Sequence, residues 1–144
     1  MSESDFDATV ETYRQALNAI CRGDPAPVLE LFSWRDDVTL ANPLGPPRRG
    51  RTDVEAATKD AAMHFSEGSC RFEEVSRYTT ADLGYILHVE RAEVQLGASD
   101  EMAQIALRVT TIFRREEGAW RIAHRHADPI TTVRDVSSIV ERSP

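Results

Sequence analysis

Phe6, Val10, Tyr13, Leu17 and Ile20 recur at steps of three and four residues, a period that lines one stripe of a helix from Phe6 to Cys21. Ser4 or Asp5 can cap it and Gly23 ends it. A second, short helix fits Pro25 to Phe32, with proline in its first turn and Val28, Leu29, Leu31 and Phe32 as its buried side. Val38 and Leu40 read as a short strand that runs into the rigid loop Asn42-Pro43-Leu44-Gly45-Pro46-Pro47. Thr52 followed by Glu55 has capping-box spacing for a third helix, which should reach about Glu67 and stop at Gly68. After Gly68 the period changes. Arg71 to Val75, Tyr85 to Leu96, Met102 to Arg114 and Ala119 to His126 are β-rich runs, and the segments between them suit hairpins.

Helices first and a meander afterwards predict one α+β domain over residues 1–144, with the helices on one face of an antiparallel sheet. The tail after Pro129 is polar, and Val136, Ile139 and Val140 are expected to dock onto the body. A chain of 144 residues with 41% hydrophobic and 28% charged residues can bury a single core. Its formal charge of -7 argues against nucleic acid or an anionic membrane as partner, since both demand a positive contact surface. The start, Met1 to Asp7, is acidic where a secretory leader is basic and then apolar, and no apolar run is long enough to span a bilayer. A cytoplasmic location follows. Cys21 and Cys70 lack a CxxC or His-rich spacing and are expected as buried thiols.

The runs Val10 to Ala19, Gly23-Asp24, Val28 to Phe32, Asp37 to Gly45, Gly50 with Thr52-Asp53-Val54, and Gly118 to His126 together resemble nuclear transport factor 2-like domains, in particular SnoaL-like and ketosteroid-isomerase-like proteins. The resemblance implies a cone-shaped fold, N-terminal helices packed on a curved, mostly antiparallel sheet around a pocket. It also implies a homodimer through the outer sheet face. Function transfers less well, because this fold hosts isomerases, hydrolases, cyclases and plain binding modules. Tyr13 falls where ketosteroid isomerases place an oxyanion donor. Asn42 stands at the position of their general base, which an amide cannot replace, and Thr111 at the position of their second, acidic donor. Steroid isomerisation by that mechanism is therefore not expected.

Strand alternation places Trp120, Ile122, His124, His126 and Asp128 on one face, and Ile105, Leu107, Val109, Thr111 and Phe113 on one face of the strand before. The resemblance assigns both sets to the interior, together with Tyr85, Leu87 and Val89, and leaves His88, Glu90, Arg108, Thr110, Ile112 and Arg125 on the outer face. An apolar cup with Tyr13, Asn42, Thr111 and His124 as ligand-binding polar groups suits a small molecule. Trp34 could stack on a flat ligand or simply pack. His126 oriented by Asp128 is the candidate acid/base pair, with a satisfied core histidine and a strand-end turn residue as the alternative. Tyr13 is equally a member of the core stripe, and Asn42 equally a loop starter. His124-x-His126-x-Asp128 suits a metal poorly, since same-face residues lie about 6.6 Å apart. Neither metal nor cofactor is expected. The two functional readings are a small-molecule site, catalytic or not, acting on a largely apolar oxygen-bearing compound, and a non-catalytic binding or dimerisation module with a filled cup.

Overall fold

The computed structural model describes residues 3–142; Met1 and Ser2, part of the acidic start, lie outside the described residues with 143–144. Three helices, α1 (Glu3–Cys21), α2 (Ala26–Leu31) and α3 (Arg51–Ala62), close the concave side of one six-stranded sheet. Its strands are β1 (Thr39–Ala41), β2 (Arg48–Arg49), β3 (Phe65–Thr79), β4 (Leu83–Leu96), β5 (Met102–Glu116) and β6 (Ala119–Asp128), in the order β2-β1-β6-β5-β4-β3. All pairs are antiparallel except β1 with β6. The expected cone-shaped α+β architecture is present, with helices before the meander.

The stripe Phe6, Val10, Tyr13, Ala16, Leu17 and Cys21 buries α1 against the sheet. Phe6 meets Phe113 and Trp120 edge to face, with centroids 5.3 and 5.2 Å apart, and Tyr13 meets Phe113 at 5.5 Å. Such pairs add roughly 0.5–1.5 kcal/mol each beyond their burial. At the opposite side Arg114 grips both Asp37 oxygens at 2.8 and 2.9 Å and the buried Glu116 at 2.8 Å, and Glu116 accepts from Ser33. That clasp ties the connection between α2 and β1 to the end of β5.

Four local expectations are corrected. First, α3 ends at Ala62 and β3 begins at Phe65, so Gly68 is a strand residue; a Cβ there would lie 2.3 Å from the Glu93 carbonyl oxygen, which only glycine tolerates. Second, α3 starts after Gly50, whose φ of 90° turns the chain, and no side chain caps it; Thr52 lies inside the first turn. Third, Arg48–Arg49 returns beside β1 as a sixth strand that its polar sequence did not announce. Fourth, Val136, Ile139 and Val140, on and just after a 3-10 turn, are exposed and do not dock.

The largest correction concerns which side chains point inward. Ile112 pairs with His124 while Phe113 pairs with Ile122, so Ala123 is an extra, unpaired residue in β6. A bulge of this kind reverses the alternation beyond it. Trp120 and Ile122 point in before the bulge, and Arg125 and Ala127 point in after it. The inward placement expected of His124, His126 and Asp128 is thereby overturned: all three lie on the convex side. On β4 the interior set is Ile86, His88, Glu90, Ala92 and Val94, and Tyr85, Leu87 and Val89 face outward. The β5 assignment, with Val109, Thr111 and Phe113 buried, stands.

Gly84 is where α1 meets β4 most closely. A Cβ there would stand 2.6 Å from the Phe6 ring, which Phe113 and Trp120 hold in place. Gly84→Ala should cost about 1–3 kcal/mol of stability, the usual range for overpacking, read from the shift in urea midpoint. An unchanged midpoint would mean that α1 does not lie on the sheet as described.

Candidate functional site

Between the helices and the concave sheet lies a cavity of about 250 Å³. Leu17, Ile20, Val28, Phe32, Leu40 and Ile105 are among its apolar walls, Asn42, Pro43 and Leu44 come from the proline-rich loop, and its charged groups are Glu90 and Arg125. Because β4 and β6 both flank β5, side chains that point inward from them converge above Leu107 and Val109.

Glu90 and Arg125 form a buried, two-toothed ion pair, with Nη2 to Oε1 at 3.0 Å and Nη1 to Oε2 at 3.1 Å. The Glu90 Oε2 atom also accepts from His88 Nε2 at 3.2 Å. A carboxylate acceptor at Nε2 assigns that proton to His88, and its Nδ1 is buried with no hydrogen-bond partner among the described residues. His88 stacks on Phe72 at 3.9 Å, and Tyr13 approaches it edge on. Arg125 also donates to the Tyr13 hydroxyl; since a guanidinium can only donate, Tyr13 must give its own proton to Thr111, 2.7 Å away. Tyr13 and Thr111 are thus brought together inside the core, with the phenol already engaged.

Burial by itself raises the Glu90 pKa, but the Arg125 charge, the His88 hydrogen bond and the Arg125 hydrogen bonds outweigh it and carry it down to about 2. Burial works to lower the Arg125 value, and Glu90 and Tyr13 more than offset it, so the guanidinium stays charged. For Tyr13 burial dominates and raises the pKa, so the phenol is neutral at physiological pH. The floor is therefore one cation and one anion, with no net charge. Arg125 keeps Nε–H and one Nη2–H without a protein acceptor among the described residues.

The other sequence candidates are scattered. Asn42 lines the cavity, and its Oδ1 accepts from the Leu44 N–H at 3.0 Å, which makes it a turn former and leaves its NH₂ without a protein acceptor among the described residues. Trp34 is 65% exposed, does not line the cavity, and carries the Arg51 guanidinium 3.7 Å over its ring. On the convex side His124 Nδ1 bonds the Thr39 hydroxyl at 2.7 Å, and burial, then the charge of His126, lowers its pKa. His126 does meet Asp128, at 3.3 Å, but with its side chain 53% exposed. Arg108 clamps the same carboxylate at 2.8 and 3.1 Å. Burial would raise the Asp128 pKa, and the Arg108 bond, the Ile130 N–H and the charges of Arg108 and His126 bring it below the ordinary value.

Glu90, His88 and Arg125 are the polar residues that sequence reasoning placed outside. One signal was present: on β4 the alternate set Tyr85, Leu87, Val89 continues into Arg91, Glu93 and Gln95, whereas Ile86, His88, Glu90 continues into Ala92 and Val94. The second set is the one that ends apolar.

The depressed Glu90 pKa has a defined sign. Against a free value of 4.5, a folded value of about 2 contributes stability that is complete above pH 4.5 and is lost as pH falls from there through 2. Glu90→Gln should cost about 3–5 kcal/mol at neutral pH by leaving Arg125 buried without its counter-charge. The deficit should shrink between pH 4.5 and 2, measured by urea unfolding of both forms across that window. A pH-independent difference would mean that the pair is not formed.

Residues 10–131 match the SnoaL-like domain family. No protein of curated function matches the chain. Among solved structures, a candidate dehydratase of the NTF2-like family from Streptomyces avermitilis superposes with a TM-score of 0.74 at 17% identity, over 90% of this chain and 96% of that one. A ketosteroid isomerase-like protein from Erwinia carotovora atroseptica gives 0.72 at 18%, again over 90% and 96%. A candidate calcium/calmodulin-dependent protein kinase II association domain from Xanthomonas campestris gives 0.72 at 16%, over 92% and 91%. Identities this low speak for the fold alone, which is NTF2-like, while the family match spans most of the sequence: the chain belongs to the SnoaL-like domain family.

Proposed function

We propose that this domain binds a small, largely apolar, oxygen-bearing molecule in the cone, with the ligand's oxygen accepting from the unpaired N–H groups of Arg125. The observation that carries this is the cavity itself, about 250 Å³ with apolar walls and a single neutral ion pair at its floor. An apolar body gains by leaving water for such walls, and a few fixed donors orient it. Because Glu90 already balances Arg125, a neutral acceptor such as a carbonyl, ether or epoxide oxygen suits the floor better than an anion. The NH₂ of Asn42 supplies a second donor at the loop side.

An isomerase or hydrolase would need a base beside that oxygen. Glu90, at about 2, holds a proton too weakly for the task near neutral pH, and His126 with Asp128 lies across the sheet from the cavity. The geometry therefore favours binding over proton transfer. The homodimer belongs to the same proposal: Tyr85, Leu87, Val89 and Ile112 share the convex face, which no helix covers among the described residues. We keep the cytoplasmic location as well, with two free cysteines suited to a reducing compartment.

Thermal unfolding against steroids, polyketide-like aromatics and epoxides tests the ligand. A compound at 100 times its Kd adds about 2.7 kcal/mol, which for this size is a rise of roughly 5–10 °C in Tm. Ala92→Phe, which fills the cavity, should abolish the rise while melting cooperatively. A panel without a single shift would favour the non-catalytic module with an unused cup. For the dimer, mass measured in solution at micromolar concentration should be twice 16.1 kDa, and a monomeric mass would refute it.

A further inference from the structure

Thr58 and Ala61 stand three residues apart on one side of α3 and line the cavity. Thr58 is the one hydroxyl among the described residues of that lining, and it is buried. Its Oγ1–H is donated to the Val54 carbonyl at 2.8 Å, which uses the single hydrogen of the group. What Oγ1 has left is its capacity to accept. The helix itself gains little from this hydroxyl, because the Val54 carbonyl already receives the Thr58 backbone N–H and a second bond folded back onto it does not favour the helix. Valine would fill the same volume with no polar atom to bury.

We propose that the molecule held in the cone carries a hydroxyl group besides the oxygen that faces Arg125, and that this hydroxyl donates its hydrogen to Thr58 Oγ1. Thr58 is then a specificity-determining residue that touches the ligand. The inference rests on the binding reading above and narrows its ligand class, from any oxygen-bearing compound to an alcohol that also bears a carbonyl, ether or epoxide oxygen.

The polar groups of the lining fix this complement, since each has part of its capacity already taken. Asn42 Oδ1 accepts from the Leu44 N–H, so its amide offers a ligand only donors. Arg125 can only donate. Glu90 already receives two hydrogen bonds from Arg125 and one from His88. Thr58 Oγ1 accepts from no group among the described residues and has no hydrogen left to give. A ligand with acceptors alone satisfies Arg125 and Asn42 and leaves Thr58 unanswered, whereas an O–H answers it. A site built to hydrogen-bond a ligand hydroxyl discriminates against the analogue that lacks one, because its own buried group then stays without that partner.

The probes are the alkan-2-ones from pentanone to decanone, each compared with the same chain ending in a methoxy or a hydroxyl group, titrated calorimetrically into the folded full chain. The flexible chain lets its far end find Thr58, and methoxy accepts but does not donate. For at least one length the hydroxyl form should bind about tenfold more tightly than the other two, the order of one net hydrogen bond. That advantage should vanish in Thr58→Val and remain in Thr58→Ser. Thr58→Ala enlarges the cavity for all three forms alike, so the ratio between them still reads the hydrogen bond if the valine variant does not fold. Equal binding of the three forms at every length would overturn the Thr58 proposal and leave the binding reading standing. An advantage that survives in Thr58→Val would overturn it too, by assigning the hydroxyl to Glu90. Absence of binding by every probe would overturn both.

Discussion

Everything inside the cone is arranged around one ion pair that could not exist alone. Moving a carboxylate and a guanidinium out of water costs several kcal/mol per ion, and their attraction offsets this only when the geometry is good and the remaining hydrogen bonds are made. Glu90 and Arg125 meet that condition through four neighbours, one on the Glu90 strand and three from elsewhere in the chain. His88 holds the carboxylate, Phe72 supports His88, Tyr13 receives the guanidinium, and Thr111 receives the Tyr13 proton. One helix and four strands must be in register before the charges are satisfied. The pair therefore acts as a check on assembly as well as a floor for the cavity.

That constraint explains what could be read in the sequence and what could not. The helical stripe of Phe6, Val10, Tyr13 and Leu17, the later change of period and the proline-rich loop specify an α+β domain, because each is a local pattern with a local cause. The interior of the meander is different. Alternation places Thr111 correctly on β5, where the ladder is regular, and places Arg125 wrongly on β6, where one unpaired residue shifts the count. Apolar content also misleads on β4: Leu87 and Val89 are more hydrophobic than His88 and Glu90, yet the polar pair lies inside because it finds partners there and nowhere else. A buried charge network is a non-local fact, and a single strand does not declare it.

The two faces of the sheet consequently divide the chemistry. The concave side combines apolar walls, the Cys21 side chain among them, with a neutral, hydrogen-bonding floor. The convex side carries the Arg108–Asp128–His126 group beside the apolar residues Tyr85, Leu87, Val89 and Ile112. A histidine next to an aspartate looks like acid/base machinery in the sequence. Across the sheet from the cavity, and with Arg108 already holding the carboxylate, it acts as surface electrostatics between neighbouring strands.

The unpaired Ala123 decides which functional group the last strand delivers to the cavity. With Ala123 paired into the ladder instead of bulged, the strand would alternate simply through it and turn Arg125 outward and His124 and His126 inward, exchanging a guanidinium for imidazoles at the floor. A domain of this design can thus change its interior from hydrogen-bond donor to proton carrier by losing or shifting a bulge at a strand kink. Substitutions inside the cavity would not be required.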